Sequence, residues 1–134
     1  MLEESQYQRG NKLRYLRANE KALLRFLLVG NLVGLTKDLD TVNVCDMADG
    51  GMGSIKFFYD DKTKRVCSET IIDADYCDQD GVLVEIAINL DQEGRLFEVD
   101  FWKVDFSRLI KYPQPQEIKI RETHPTAPPR TPRQ

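Results

Sequence analysis

The sequence predicts an α+β domain: an antiparallel meander sheet of four or five strands, with one N-terminal helix packed on a face. Apolar residues alternate from Val82 to Leu90 and recur up to Phe106, and the polar turn 91–94 between these runs indicates a β-hairpin. Strong helix formers fill the segment 20–29. Because the remaining strand signals are joined by short turns without a second long helical segment, a parallel sheet is disfavoured.

The helix is predicted to begin at Asn19, as the N-cap, and to stop at Gly30. Between these residues, Lys21 and Arg25 leave only a narrow polar stripe. A helix with so wide an apolar surface is expected to be buried around much of its circumference, most simply against the face of a sheet.

Five segments carry strand signals: residues 42–45, 55–60, 65–76, 82–90 and 95–106. In the last of them the side that carries apolar residues changes after Phe101, so we expect a β-bulge near Phe101 and Trp102 or a strand end that is buried on both faces. The predicted core consists of large apolar residues of the helix and the central hairpin: Leu23, Leu24, Phe26, Leu27, Ile86, Ile88, Val99 and Trp102.

The chain of 134 residues is long enough for one domain with its own core. We expect residues 1–12 to be a flexible N-terminal segment and residues 13–112 to be the domain. Residues 113–134 contain all six prolines and are predicted to be a disordered tail. Within that tail, residues 117–120 could add only transiently to a sheet edge.

Charge is unevenly distributed along the chain. Residues 36–105 contain seventeen acidic and seven basic side chains, whereas both flanking regions are basic. This pattern fits either a solvated acidic surface or an acidic face that attracts a basic protein partner. The acidic body disfavours nucleic-acid binding.

The three cysteines, Cys45, Cys67 and Cys77, are odd in number and lack CxxC spacing, so neither a disulfide framework nor a zinc site is predicted. Free thiols suit a reducing cytosol. The longest apolar stretch, residues 22–35, is too short and too polar to cross a bilayer. We therefore expect a cytoplasmic protein without membrane association, metal or cofactor.

The loop from Asp46 to Ser54 is the most distinctive segment, because three of four consecutive positions are glycine. Such a loop can adopt conformations closed to other residues, and its free N–H groups could hold a ligand. It matches neither a Walker loop nor a dinucleotide fingerprint. The alternatives are a structural hairpin connection and a binding loop formed by Asp46, Asp49, Gly50, Gly51, Met52, Gly53 and Ser54.

Asp78 and Asp80 lie in an acidic segment, residues 73–81, that invites a calcium interpretation. The spacing fails, because aligning Gly81 with the glycine of an EF-hand loop places Tyr76 first and Ala87 last. An acidic hairpin turn is the better interpretation.

The end of the last predicted strand carries a tryptophan among charged residues: Asp100, Trp102, Lys103 and Asp105. This pattern indicates either a polar pocket with an aromatic wall or a core tryptophan with polar neighbours. Glycosidase chemistry would require a second carboxylate at a distance of about 5 to 9 Å, which a sequence cannot locate. The sole histidine, His124, lies in the predicted tail, so no nucleophile–base arrangement is indicated and no catalytic residue is assigned.

The segments EKALLRFLL, MADGGMGSIKF, DQDGV and LFEVDFWKVDFS occur in that order. The chain thereby resembles a family of small, uncharacterised bacterial proteins, a domain of unknown function with DGGMGS and FWKVDFS motifs. The resemblance covers about residues 13–112 and implies no activity. In its compact acidic α+β character the family is similar to immunity proteins, which neutralise bacterial toxins.

Two functions follow as hypotheses. The first is a non-enzymatic protein-binding module with an acidic face, of which an immunity protein is one form, in which Asp46, Asp49, Asp78 and Asp80 attract a basic partner. An exposed Trp102 or Tyr76 would then supply an anchor. The alternative is a small-ligand-binding or hydrolytic domain that uses the glycine-rich loop and the aspartates near Trp102.

Overall fold

The computed structural model describes residues 12–60 and 62–124 and shows an α+β fold. One α-helix, α1 (Ala18–Leu27), and two 3-10 helices (Gly30–Thr36 and Pro115–Glu117) accompany a seven-stranded sheet. The strands are β1 (Arg14–Tyr15), β2 (Asn43–Asp46), β3 (Ile55–Phe58), β4 (Cys67–Cys77), β5 (Leu83–Asp91), β6 (Leu96–Lys103) and β7 (Lys119–Thr123).

The sheet order is β1-β2-β3-β6-β5-β4-β7, and all neighbouring strands are antiparallel. The prediction of four or five strands was too low, and the sheet is not a single meander. Two short meanders, β1–β2–β3 and β4–β5–β6, meet where β3 pairs with β6. The added edge strands gave no period-two signal, because β1 has two residues and all five side chains of β7 are exposed.

Helix α1 begins just after Arg17, two residues before the predicted cap. The N–H of Arg17 donates to the carboxylate of Glu20 at 2.7 Å, so an acidic side chain in the first turn satisfies a free donor at the helix start. Glu20 is itself buried and forms an ion pair with Arg14. Asn19 is therefore an ordinary first-turn residue.

The core lies between the helical segments and one face of the sheet. Leu23, Leu24 and Leu27 of α1 are buried in one apolar cluster with Ile86 and Val99 of the central hairpin. Two predicted core residues are wrong: Phe26 is 38% exposed and Trp102 is 51% exposed. α1 buries a narrower stripe than its composition suggests, and Trp102 lies on the face of the sheet opposite Val99 and Phe101.

Strand β6 has no bulge at Phe101 and Trp102, where one was predicted, and it has one near Phe97 instead. The β5–β6 register shifts between Asn89, opposite Glu98, and Leu90, opposite Leu96, so Phe97 is the extra residue. Phe97 is buried outside the main core, where its ring receives the cations of Lys56 and Arg65 at 4.7 and 5.0 Å.

The predicted tail is ordered at its start. β7 pairs with β4, and Ile118 packs against the core, so the expectation of disorder does not hold for residues 113–124. Of the predicted flexible segment 1–12, residues 1–11 lie outside the described residues, as does the rest of the tail, 125–134. Among the described helices, none combines the length and apolar character needed to cross a membrane.

Candidate functional site

The glycine-rich loop between β2 and β3 packs directly on the end of β6. The hydroxyl of Ser54 accepts from the N–H of Phe101 at 2.8 Å and donates to its carbonyl at 3.3 Å. The N–H of Lys103 points to the sulfur of Met52 at 3.4 Å. Met52 and Ser54 are both buried. The DGGMGS and FWKVDFS segments are therefore two halves of one packed unit.

The loop also satisfies its own backbone. The carboxylate of Asp49 accepts from the N–H groups of Met52 and Ser54, which folds the loop around that side chain. Gly50, Gly51 and Gly53 all have positive φ, and the carbonyl of Gly51 accepts from the N–H of Leu109 at 3.0 Å. Because these contacts are internal, the loop acts as a structural brace for the segment after β6.

Lys103 and Asp78 form a fully buried ion pair at 2.9 Å. The ammonium of Lys103 also contacts Asp80 at 2.8 Å, and Asp78 accepts from the N–H groups of Ile110 and Lys111. Burial alone would raise the pKa of Asp78, but these donors outweigh it and lower the pKa to about 2. The pair fixes the β4–β5 turn to the segment after β6.

The remaining aspartates of the predicted sites also have internal partners. Asp46 forms an ion pair with Arg14 at 2.6 Å, and hydrogen bonding to that guanidinium lowers the pKa of the carboxyl. Asp105 accepts from the N–H and hydroxyl of Ser107. The four aspartates expected to attract a partner, Asp46, Asp49, Asp78 and Asp80, thus all engage groups of the same chain.

The face of the sheet opposite the core carries a different acidic feature, a groove of about 450 Å³ across β6, β5, β4 and β7. Cross-strand pairing brings its residues together, since Glu85 lies opposite Trp102 and Ala87 lies opposite Asp100. We call this feature the acidic groove; its charged and aromatic lining residues are Asp73, Glu85, Asp100, Trp102, Arg121 and Glu122.

The carboxyl group of Asp100, in the acidic groove, has a raised pKa. The amide nitrogen of Asn89 donates to Asp100 at 2.9 Å and to Glu98 at 3.3 Å, so it holds two carboxylates side by side. Burial, followed by the charge of Glu98, raises the pKa of Asp100 to about 6. A carboxyl group with such a pKa can carry or release a proton near neutral pH.

Two exposed aromatic rings lie beside the acidic groove. The rings of Trp102 and Phe106 have centroids 6.0 Å apart and are tilted by 40°. Phe106 is 71% exposed and is the one non-glycine residue with positive φ, 67°, among the described residues. We call Trp102 and Phe106 the aromatic pair. A bulky residue in this backbone region is strained, and such strain is concentrated at functional sites.

Residues 13–113 match the family model described as a domain of unknown function, DUF6984. The chain belongs to this family. No curated protein matches the chain, and no solved structure does. The DUF6984 match includes the packed DGGMGS and FWKVDFS segments, the aromatic pair and the part of the acidic groove formed by β4, β5 and β6. Strand β7 lies beyond the match.

Of the residues singled out from the sequence, the DUF6984 fold brings Asp100 and Trp102 together in the acidic groove, while Lys103 points to the opposite face. Gly50 to Ser54 lie in the loop that braces β6. Sequence reasoning missed Glu85, Glu98 and Phe106. The available signal was the set of polar residues at 85, 89, 98 and 100, spaced at even intervals on the two strands, but its use required the bulged register of the hairpin.

Proposed function

We propose that this member of the DUF6984 family is a non-enzymatic binding module that holds a basic segment of a partner protein in the acidic groove and anchors it on the aromatic pair. The observation that carries this proposal is the exposed aromatic pair, with Phe106 in a left-handed backbone conformation, at the rim of an acidic groove. The proposal keeps the protein-binding class predicted from the sequence and changes the surface.

The aromatic pair supports binding because it leaves large apolar rings in water. Trp102 is half exposed although it lies on a central strand, and Phe106 is more exposed still. Tryptophan is among the residues that most often dominate interface energies, and paired rings at the rim of a groove can enclose an apolar stem. Phe106 also retains backbone strain that burial of its ring against a partner would offset.

The negative charge of the acidic groove supports a basic partner. Asp73, Glu85, Asp100 and Glu122 line the acidic groove, and Arg121 is the one cation among its described lining residues. Arg121 is engaged with Asp75 at 3.2 Å. A lysine or arginine of the partner would meet this group of carboxylates and would contact the face of Trp102.

An immunity role, in which an acidic protein neutralises a basic toxin, is one form of this function. The compact acidic α+β architecture favours it, and the comparison rests on architecture alone. The toxin would present its basic segment to the acidic groove.

A second candidate function, acid–base chemistry on a small ligand in the same groove, is favoured by one observation. The pKa of Asp100 is raised to about 6 beside Glu98, an arrangement that suits proton transfer. The two functions differ in their requirement for Asp100. Asn at this position would abolish proton transfer but would weaken a charge-assisted protein contact only modestly.

The binding function is tested first by site-specific crosslinking. A photo-crosslinking phenylalanine analogue is placed at position 106 and, as the matched control, at position 15, because Tyr15 is 64% exposed on the edge strand β1. Both proteins are irradiated in an extract of the organism that encodes the chain. We expect a protein captured only through position 106. Identical captures at both positions would contradict the proposal.

The captured partner is then purified and its affinity is measured for the parent and for Trp102→Ala, Phe106→Ala and Tyr15→Ala. Loss of a central aromatic anchor costs about 2 kcal/mol or more, so we expect about thirtyfold weaker binding for the first two variants. The Tyr15→Ala variant should bind like the parent. Equal affinities for all four proteins would overturn the assignment of this surface.

A further inference from the structure

We propose that Asp73, Glu122 and His124 form a binding site for one divalent transition-metal ion of the Zn²⁺ class at the junction of β4 and β7. The imidazole Nε2 of His124 lies 3.5 Å from a carboxylate oxygen of Asp73 and 3.6 Å from one of Glu122. The three ligand atoms all lie within 4.8 Å of one another. Ligands bound at about 2.0 to 2.2 Å around one zinc ion are separated by similar distances.

The strand register gives an independent reason for a cation at this position. Asp73 on β4 lies directly opposite Glu122 on β7, and like charges in that relation destabilise a sheet. The neighbouring arginine, Arg121, does not neutralise them, because it is the extra residue of a register shift and pairs with Asp75. A metal ion between the two carboxylates and the imidazole would remove this repulsion.

The three side chains are brought together by the end of β7. The N–H of His124 donates to the carbonyl of Ile71 at 2.8 Å, which continues the pairing one step beyond Thr123. His124 and Glu122 are two residues apart on an extended strand, so they share a face. The sequence alone indicates no metal site, because Asp73 is separated from Glu122 and His124 by about fifty residues and the cysteines lack CxxC spacing.

The ligand set indicates the class of ion. One imidazole nitrogen and two carboxylate oxygens suit zinc and similar divalent transition metals better than magnesium or calcium, which prefer all-oxygen sites. Asp73 and Glu122 also line the acidic groove, so further coordination positions of the ion would face that groove. The metal site shares Asp73 and Glu122 with the acidic groove, whereas Glu122 and His124 lie beyond the residues matched by the family model. Its test uses the metal ion alone, so the outcome does not depend on the proposed partner binding.

The test uses the untagged chain with Cys67→Ser and Cys77→Ser, which removes the two exposed thiols that could bind zinc. Zn²⁺ is titrated while the single imidazole of the chain is followed by NMR, and the stoichiometry and affinity are measured by calorimetry. We expect one equivalent of Zn²⁺ to shift the His124 resonances to saturation, and Mg²⁺ to leave them unchanged.

His124→Ala, Glu122→Gln and Asp73→Asn should each weaken Zn²⁺ binding by about tenfold or more. Glu93→Gln is the matched control, because Glu93 is an exposed carboxylate in the β5–β6 turn, and it should leave binding unchanged. Two results would overturn the proposal. One is no saturable shift of the imidazole, and the other is a loss confined to His124→Ala, which would indicate an isolated surface imidazole.

Discussion

Asp78 and Asp100 show how the environment of a carboxyl group decides its role. Both lose solvent on folding, which raises the pKa of a carboxyl group. Asp78 receives an ammonium and several backbone N–H groups, so its pKa falls to about 2 and its charge is structural. Asp100 loses solvent beside the charge of Glu98, and the hydrogen bond from Asn89 only partly offsets this, so its pKa rises to about 6. The sequence shows both residues simply as aspartate.

Asp100→Asn is expected to stabilise the protein above pH 6. The folded chain holds the proton of Asp100 more tightly than the unfolded chain, whose aspartate has a pKa of about 3.9. The parent therefore loses stability as the pH rises from about 4 to about 6, whereas the variant does not titrate at this position. We expect a gain of about 1 kcal/mol at pH 8, after discounting for solvent screening.

The measurement is urea denaturation of both proteins at pH 4 and pH 8. Glu85→Gln serves as the control, since Glu85 is a neighbouring carboxylate of the same groove. A variant that is equally destabilised at both values of pH would show that Asp100 contributes a required hydrogen bond and not a repelled charge.

At the scale of elements, the loop 46–54 and the segment after β6 depend on each other. The loop connects β2 to β3, yet its side chains and carbonyls bind β6 and Leu109. The run of glycines correctly indicated unusual backbone conformations, and three of them have positive φ. The segment on which the loop packs could not be predicted, because the contact requires β3 to pair with β6, about forty residues later in the chain.

Gly51→Ala is expected to destabilise the protein more than Gly50→Ala. Both residues have φ near +80°, so an added methyl group costs about 1 kcal/mol at either position. At Gly50 the new methyl group would meet open space, whereas at Gly51 it would lie 3.2 Å from Cβ of Arg108. We therefore expect an additional loss of about 1 to 2 kcal/mol for Gly51→Ala.

The free energies of unfolding of the two variants and the parent decide this comparison. Equal losses of stability in the two variants would mean that the segment at Arg108 moves away without cost. The loop would then not hold that segment in place.

At the scale of the whole molecule, many acidic side chains pair with basic ones from distant parts of the chain, so the acidic region of the sequence does not become one acidic face. The acidic middle of the chain suggested a continuous acidic face, but Asp46, Asp78 and Asp80 are paired with Arg14 and Lys103. Four further carboxylates, those of Asp73, Glu85, Asp100 and Glu122, line the acidic groove. Its far wall is β7, which lies outside the family match.

A chain that ends at Pro113 is expected to be less stable than one that ends at His124. Removal of β7 leaves the edge of β4 unpaired and uncovers the core beneath Ile118. We expect a loss of about 2 to 4 kcal/mol from these hydrogen bonds and this apolar contact. Denaturation of the two chains, with hydrogen exchange at the β4 amides, measures the effect. Equal stability and unchanged protection of β4 would show that β7 contributes nothing to the sheet.

The sequence by itself determined the α+β class, the helix near residues 18–27 and the central hairpin, because these depend on local periodicity and turn chemistry. Only the tertiary structure decided that β3 pairs with β6, that β7 closes the sheet and that Phe97 forms the bulge. The acidic groove, the aromatic pair and the His124 cluster follow from that register. A shift of one residue reverses which face a side chain occupies, and local sequence does not specify the register between distant strands.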